Sequence, residues 1–235
     1  MDIDAIVRVE PKVLLEDNHL LFVAKPHSMP AQPDPSGDLS LLDWVKSYLK
    51  ERYSKPGEAF VGLVHRIDRP AGGVMVFAKT SKAAARLHPQ FRDRTLTKSY
   101  LAVVHGQTPE HGQLVDHLRK NAKQNRSYVV SSEAKGAKRA ELRFRLLESA
   151  RELSLLEVEL MTGRHHQIRA QLAAHGYPLV GDVKYGAKRP LRGGKIALWS
   201  GRLGLLHPVS KKPVEVDCRP PDHPPWSYFL ALGRE

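Results

Sequence analysis

A carboxylate bracketed by cations lies in residues 65–69, which read His-Arg-Ile-Asp-Arg. The apolar runs 60–64 and 74–78 stand on either side, and both are short and rich in β-branched and aromatic residues, as buried strands are. The Pro and Gly residues between them predict a tight loop. Arginine neighbours favour the ionised form of Asp68 on that loop, which makes this carboxylate a candidate nucleophile or base.

The same loop has two other interpretations. In the first, Arg66, Asp68 and Arg69 form an ion pair on a surface turn and carry no chemistry. In the second, the order His-Arg-Ile-Asp is the catalytic loop of a protein kinase with one residue inserted. The second interpretation fails, because the sequence has no Gly-rich phosphate loop before this stretch and no Asp-Phe-Gly after it.

A second stretch with reactive side chains is residues 162–169, Thr-Gly-Arg-His-His-Gln-Ile-Arg. Its adjacent histidines are expected to point to opposite sides of a helix or strand, and the sequence lacks a His-Glu-x-x-His pattern, so no metal site is predicted. Arg169 ends the stretch and is suited to a structural ion pair. Elsewhere, Tyr100 follows Lys98 at the start of a predicted strand, where a tyrosine is usually a core residue with its hydroxyl at the edge.

The composition is that of a basic globular protein. The 235 residues include 37 Lys and Arg against 25 Asp and Glu, which gives a formal net charge of +12 and a pI near 9.9. This excess predicts a polyanionic partner, nucleic acid before an anionic membrane, although a generally basic protein would show it too. The single cysteine excludes an internal disulfide and indicates a reducing compartment, the cytoplasm. No apolar run approaches the length of a membrane span.

The spacing of apolar residues predicts both helices and strands. Two amphipathic helices are expected, over about 41–52 and 81–91, with Ser40 and Thr80 as their capping residues. A third helix is expected over 168–175, stopped by the Gly and Pro that follow. The predicted strands are 13–15, 20–24, 99–106, 142–146, 156–160, 203–206 and 214–216.

Two segments are expected to be irregular. Residues 27–37 hold three prolines and a glycine, and they are predicted to form a loop near the functional cleft. Residues 107–127 are polar and basic, and they are predicted to form a long mobile loop. Its cations are either a solvated charge run or contacts to a nucleic acid, and the sequence leaves both possibilities open. They include Arg119, Lys120, Lys123 and Arg126.

Four stretches of the chain resemble the RluA-type pseudouridine synthases. Residues 65–73, followed by Ala-Lys-Thr at 78–80, resemble the active-site signature of that family. Residues 162–169 closely resemble its Thr-Gly-Arg-Thr-His-Gln-Ile-Arg, residues 176–186 resemble the turns after its helix, and residues 197–209 resemble its closing hairpin. The resemblance therefore extends over nearly the whole chain.

The chain departs from the family pattern at several positions. Gly72 stands where Ser is common and is expected to loosen the turn, His165 replaces Thr, and Trp199 takes a position where His is frequent. Pro30 and Gln32 occupy a loop in which relatives often have Gly and a downstream His. The departures at Pro30 and Gln32 affect the contacts that this loop would make with the substrate.

The resemblance implies a fold and a reaction. The fold would be α+β, a mixed, mostly antiparallel sheet with flanking helices and a basic active-site cleft. Residues 1–235 would form a single catalytic domain without a separate N-terminal RNA-binding domain, acting as a monomer. The reaction would be the isomerisation of uridine to pseudouridine in structured RNA, ribosomal or transfer, with the uridine flipped out of its stack. It would need neither a cofactor nor a metal, because nothing is oxidised and nothing is transferred to another molecule.

The resemblance also implies residue roles. Asp68 would be the nucleophile, attacking either the ribose or the uracil ring, Arg169 its ion-pair partner, and Tyr100 the residue that stacks on the base and accepts a proton. The implied substrate-binding residues are His65, Arg66, Arg69, Lys98, Arg164, His166 and Gln167. Two alternatives come from other classes: an RNA-binding protein that retains the fold without catalysis, and a glycosidase, which would need a second carboxylate near Asp68.

Overall fold

Residues 10–54, 56–93 and 95–232 are described in the computed structural model. In this part of the chain, eleven strands join into one sheet, and three α-helices pack on it. The strands β1 to β11 are Lys12–Glu16, Leu20–Lys25, Gly62–Leu63, Gly72–Ala78, Thr97–His105, His111–Asn121, Arg126–Val130, Lys138–Ala150, Leu153–Leu160, Leu198–Leu206 and Pro213–Asp217. The helices α1 to α3 are Leu41–Arg52, Ser81–Asp93 and Gln167–Ala174.

The sheet is mixed and mostly antiparallel, as predicted. Its main path runs β1-β2-β4-β10-β5-β9-β8-β6-β7, with β3 paired to β4 and β11 paired to β10. Among the described strands, only β4 and β10 run parallel to each other. Helices α1 and α3 contribute to the core on one face of the sheet, and α2 contributes to the core on the other. Within the described ranges, none of the helices combines the length and apolar content needed to cross a membrane.

The first two helices begin where their caps predict. Ser40 Oγ accepts a hydrogen bond from the Asp43 N–H at 3.2 Å, as an N-cap does, and donates one to the Asp43 carboxylate at 2.6 Å. The Asp43 carboxylate thus bonds the Ser40 hydroxyl, whereas a capping box has this carboxylate on the backbone N–H of the capping residue. Thr80 Oγ1 accepts from the Ala83 N–H at 3.1 Å at the start of α2. The buried face of α1 carries Leu41, Val45 and Leu49, which is the periodicity that predicted the helix.

The prediction of a long mobile loop over 107–127 is wrong. Strands β6 and β7 form a hairpin there, and β6 is also paired with β8 from His111 to Leu118. Only Leu114 and Leu118 of β6 are buried, so its sequence is too polar to show the alternation of a strand. Pairing with β8 along its first part and with β7 along its last part engages the backbone of β6, and most of its side chains are exposed or half-buried.

A row of residues across four strands positions the functional site. Lys25 on β2 is opposite Gly73 on β4, Gly73 is opposite Ser200 on β10, and Ser200 is opposite Tyr100 on β5. Because directly opposed residues point to the same face of a sheet, Lys25 and Tyr100 lie on one face with only a glycine and a serine between them. The loop that carries Asp68 lies against this face.

Candidate active site around Asp68

The loop between β3 and β4 presents Asp68 at the edge of the core. The Asp68 carbonyl accepts a hydrogen bond from the Ala71 N–H at 3.1 Å, and the Pro70 carbonyl accepts one from the Ile196 N–H at 3.2 Å. Ile67 is buried beside it, whereas the Asp68 side chain remains 29% exposed. The backbone from Asp68 to Ala71 is therefore held in place, and the carboxylate is accessible to a ligand.

Arg169 on α3 connects two carboxylates. Its Nε and NH2 donate to the two carboxylate oxygens of Asp182 at 2.7 and 2.9 Å, and its NH1 donates to Asp68 Oδ2 at 3.2 Å. The Arg169 and Asp182 side chains are 5% and 1% exposed. The bidentate pair with Asp182 fixes the plane of the guanidinium group, and the remaining nitrogen then holds Asp68. The predicted contact between Arg169 and Asp68 is present, and Asp182, which the sequence suggested only as part of a turn, supports it.

Tyr100 is a buried phenol near the same carboxylate. It lies on β5 with 6% of its surface exposed, and Lys98 Nζ lies 5.0 Å from its ring centroid. Burial raises the pKa of Tyr100 above its usual value, and the negative charge of Asp68 raises it further. Tyr100 therefore rests as a neutral phenol at physiological pH.

Lys25 is a site residue that the sequence did not single out. Its side chain is fully buried, and Nζ donates to the carbonyls of Pro26, Met29 and Arg69 at 2.9, 2.7 and 3.1 Å. Burial lowers the pKa of Lys25 to about 7, while the charge of Asp68 opposes that shift. Lys25 thus ties the start of the 27–37 loop to the residue after Asp68. The available signal was a lysine at the end of an otherwise apolar strand.

Arg69 has its donors occupied within the protein. Its Nε donates to the Ser28 carbonyl at 3.2 Å, and NH1 donates to Ser36 Oγ at 2.8 Å. The same guanidinium group also forms ion pairs with Asp34 and Asp38. Arg69, predicted to bind substrate, therefore anchors the 27–38 segment beside Asp68 in this structure.

His65 and Lys98 lie next to each other, and His65 has a clear packing role. His65 Nε2 accepts a hydrogen bond from the Val76 N–H at 3.0 Å, and its ring stacks on Phe91 with centroids 4.5 Å apart. Lys98 Nζ lies 3.4 Å from His65 Nδ1. Burial lowers the pKa of His65 well below its usual value, so the ring is neutral. Arg66, between His65 and Asp68 in sequence, is exposed to solvent.

Gln167 and Arg164 hold the loop before α3. Gln167 Oε1 accepts from Thr162 Oγ1 at 2.8 Å and from the Arg164 N–H at 2.9 Å, and its Nε2 donates to the Glu141 carbonyl at 3.0 Å. Arg164 Nε donates to the Arg139 carbonyl at 2.9 Å from an exposed position. Gln167, which was predicted to bind substrate, is buried and engaged in these loop contacts.

The prediction that His165 and His166 point to opposite sides is wrong. Their rings stack with centroids 3.7 Å apart and an interplanar angle of 22°. The reason is the left-handed backbone of His166, whose φ of 53° belongs to neither helix nor strand. His166 Nε2 lies 3.7 Å from Asp68 Oδ2.

Within the described part of the chain, no three His, Cys, Asp or Glu side chains are grouped so that they could hold a metal ion.

Comparisons with known proteins agree with this architecture. A family model described as RNA pseudouridylate synthase matches residues 19–174. The chain is 32% identical over 220 residues to ribosomal large subunit pseudouridine synthase D of Zymomonas mobilis, covering 89% of this chain and 69% of that protein. It is 33% identical over 213 residues to an uncharacterized RNA pseudouridine synthase of Bacillus subtilis, with coverages of 89% and 69%.

A solved structure shows the same fold. Human RNA pseudouridylate synthase domain containing 4 superposes with a TM-score of 0.75 at 23% identity, covering 94% of this chain and 92% of that chain. At this identity the likeness concerns the fold, and it matches the mixed sheet described above. Because the family model spans well over half of the sequence, the chain belongs to the RNA pseudouridylate synthase family, as its resemblance to the RluA-type members predicted.

Proposed function

We propose that this RNA pseudouridine synthase isomerises uridines of ribosomal RNA and that Asp68 is its nucleophile. The observation that carries the proposal is the Asp68 carboxylate, partly open to solvent and held at 3.2 Å by a buried arginine that Asp182 fixes in place. Ribosomal RNA is favoured as the substrate because relatives from Zymomonas and Buchnera are named ribosomal large subunit pseudouridine synthases. Transfer RNA is the alternative substrate.

The isomerisation keeps all atoms of the substrate. The bond between the ribose and nitrogen 1 of uracil breaks, the base turns, and carbon 5 forms a new bond to the ribose. Asp68 forms a covalent bond with either the ribose or the uracil ring and is later expelled as a carboxylate. One hydrogen leaves carbon 5 and one is gained at nitrogen 1, so the mass of the RNA is unchanged. The proposal needs no cofactor and no metal.

The neighbours of Asp68 have separate tasks in this proposal. Arg169 holds the carboxylate in place and orients it toward the flipped base. Tyr100 stacks on the uracil and receives the proton of carbon 5. Because Tyr100 rests as a neutral phenol, its own phenolic proton passes to nitrogen 1 of the turned uracil when the oxygen takes the proton of carbon 5, so the phenol is regenerated. Arg66 lies on the loop around Asp68, and Arg164 lies on the loop before α3. Both are exposed and would contact RNA phosphates.

A hydrolytic glycosidase is disfavoured by the state of Asp182. That reaction needs a second carboxylate free to activate water or protonate a leaving group. Asp182 shares Arg169 with Asp68, but it is 1% exposed and both of its oxygens accept hydrogen bonds from the guanidinium group. It therefore has a structural role.

We further propose that the enzyme acts in the cytoplasm as a monomer.

The direct test uses Asp68→Asn, which removes the charge and the nucleophile and preserves the shape. We expect the purified variant to bind RNA with nearly unchanged affinity and to form no pseudouridine in a single-turnover assay. Asp222→Asn is the matched control, because Asp222 is an exposed carboxylate in the C-terminal segment, far along the chain from the site residues. Measurable turnover by Asp68→Asn would remove Asp68 from the nucleophile role.

The substrate is tested in cells. Pseudouridine is mapped across ribosomal and transfer RNA from cells with and without the protein, and from cells that express Asp68→Asn. We expect a ribosomal position that is lost without the protein and is not restored by the variant. Loss confined to transfer RNA would overturn the ribosomal assignment while leaving the synthase activity intact.

A further inference from the structure

Tyr185 joins the β6–β7 hairpin to the loop before α3. It lies in a single turn of 3-10 helix, Val183–Tyr185, directly after Asp182, and it is buried. Its hydroxyl oxygen accepts a hydrogen bond from the backbone N–H of Ser127 at 2.8 Å. The same oxygen lies 2.9 Å from Nδ1 of His166. One hydroxyl group therefore bonds the hairpin backbone on one side and an imidazole beside Asp68 on the other.

The protons of this chain of hydrogen bonds can be assigned from the chemistry of the groups. A backbone N–H can only donate, so the Tyr185 oxygen accepts from Ser127. The hydroxyl proton is then available for an acceptor, and His166 Nδ1 is at hydrogen-bond distance. Burial lowers the pKa of His166 to about 3, so its ring is neutral at pH 7. A neutral imidazole that accepts at Nδ1 carries its proton at Nε2.

Nε2 is the His166 nitrogen that faces the carboxylate. It lies 3.7 Å from Asp68 Oδ2, the same oxygen that accepts from Arg169 NH1 at 3.2 Å. This separation is too long for a hydrogen bond, but the sign of the local dipole still matters. A protonated Nε2 places partial positive charge next to the carboxylate, whereas a bare nitrogen would place a lone pair there.

The neighbouring imidazole gives the loop a second connection to the hairpin. His165 lies 3.0 Å from Ser127 Oγ through Nδ1 and 3.0 Å from Asn125 Oδ1 through Nε2. Its ring stacks on that of His166 with centroids 3.7 Å apart. His165 stands where the family pattern has Thr, and its imidazole supplies the aromatic contact with His166. Both imidazoles are thus connected to the same hairpin, His165 directly and His166 through the Tyr185 hydroxyl.

We propose that Tyr185 is a positioning residue for pseudouridine formation: its hydroxyl holds His166 in the neutral Nε2–H tautomer and so directs an N–H dipole at Asp68. The effect on the reaction rests on the proposed role of Asp68 as nucleophile. The assignment of the His166 tautomer does not depend on that role. The hairpin also exposes Arg119, Lys120 and Lys123, so the surface expected to contact RNA is connected to the nucleophile through Tyr185.

The tautomer is measured directly in the wild-type protein. Long-range ¹H–¹⁵N spectra of protein labelled at the histidine ring nitrogens distinguish Nε2–H, Nδ1–H and doubly protonated rings. The His166 signals are assigned by their loss in His166→Gln. We expect the neutral Nε2–H pattern at pH 7. An Nδ1–H pattern or a doubly protonated ring would overturn the proposal. Because this measurement retains the wild-type Tyr185, it does not require that a Tyr185 variant folds.

The role of the hydroxyl is tested with Tyr185→Phe. The phenyl ring retains the contacts with Arg126 and Arg169, whose guanidinium carbons each lie 5.0 Å from the Tyr185 ring centroid. We expect His166 to lose its Nε2–H preference and the single-turnover rate at saturating RNA to fall by about tenfold to a hundredfold, because the nucleophile is less well oriented. The RNA dissociation constant should stay within about twofold of the wild-type value.

Tyr128→Phe is the matched control. Tyr128 lies on the same hairpin and flanks Arg126 on its other side, but its hydroxyl donates to Gln124 and not to a histidine. It should change neither the His166 tautomer nor the rate. An unchanged His166 tautomer or an unchanged rate in Tyr185→Phe would contradict the proposed positioning. Turnover by Asp68→Asn would instead contradict the proposed nucleophile and leave the tautomer assignment standing.

Discussion

The indole ring of Trp199 occupies the space that a side chain at Gly72 would need. A Cβ added to Gly72 would lie 2.2 Å from Cζ3 and 2.6 Å from Cε3 of the indole. The ring cannot easily move, because Nε1 donates to the Cys218 carbonyl at 2.8 Å and the ring is buried. Both residues are departures from the family pattern, so these two departures are sterically linked. The expectation that Gly72 loosens a turn is wrong, since Gly72 is buried within β4.

This relationship predicts the outcome of restoring the family residues. Gly72→Ser alone should lower the free energy of unfolding by about 1–3 kcal/mol, because the added atoms overpack against the indole. Trp199→His in the same chain should recover much of that loss. The measurement is urea unfolding of the wild type, both single variants and the double variant, analysed as a double-mutant cycle. Equal costs of Gly72→Ser with Trp or His at position 199 would contradict the steric link.

Asp182 is predicted to act through Arg169. Asp182→Asn weakens a buried ion pair and should lower the free energy of unfolding by on the order of 3 kcal/mol, with a fall in the single-turnover rate as Arg169 loses its fixed plane. Asp217→Asn is the control, since Asp217 also accepts from an arginine, Arg202, at 2.7 Å but is 62% exposed. That variant should cost less than about 1 kcal/mol. Similar effects of the two variants on stability and rate would refute the proposed support of Arg169.

The pH dependence of stability should report the buried Lys25. Its pKa is about 7 in the folded chain, compared with an ordinary value of 10.5. Between these values the unfolded chain keeps a proton that the folded chain releases, and one of the three Nζ contacts then loses its donor hydrogen. The free energy of unfolding therefore rises with pH. The limiting slope is about 1.4 kcal/mol per pH unit. Subtracting the unfolding free energies of Lys25→Met from those of the wild type isolates this contribution, and a difference that stays constant from pH 7 to 10 would disprove it.

Salt dependence separates Arg169, the proposed partner of Asp68, from the hairpin cations. Arg169→Met should slow single-turnover chemistry severely and leave the slope of log affinity against log salt unchanged, because Arg169 faces two carboxylates. Arg119→Gln and Lys123→Gln should each flatten that slope by about 0.9 if the side chain contacts a phosphate, with the rate at saturating RNA preserved. A changed slope with a preserved rate for Arg169→Met would identify it as a phosphate ligand.

The sequence by itself determined the family and the elements with strong local signals. The apolar runs on both sides of a Pro and Gly loop were sufficient to place Asp68 between two strands, although β3 is only two residues long. The N-cap bond from the Asp43 N–H to Ser40 made the start of α1 predictable, because it involves only residues three apart. The alternation was visible in the middle of β8 and at the end of β9, where Leu142, Phe144, Leu156 and Val158 are buried and the residues between them are not.

The tertiary structure decided which polar side chains meet at the site. Asp68 and Arg169 are 101 positions apart, and only the folded sheet and α3 bring them to 3.2 Å. The left-handed backbone of His166 depends on the loop that precedes α3, and it reversed the expected geometry of the two histidines. Of the three carbonyls around Lys25, those of Pro26 and Met29 follow it directly in the chain, whereas that of Arg69 comes from 44 positions away. Hydrogen bonds between such distant groups depend on packing, and no local periodicity encodes them.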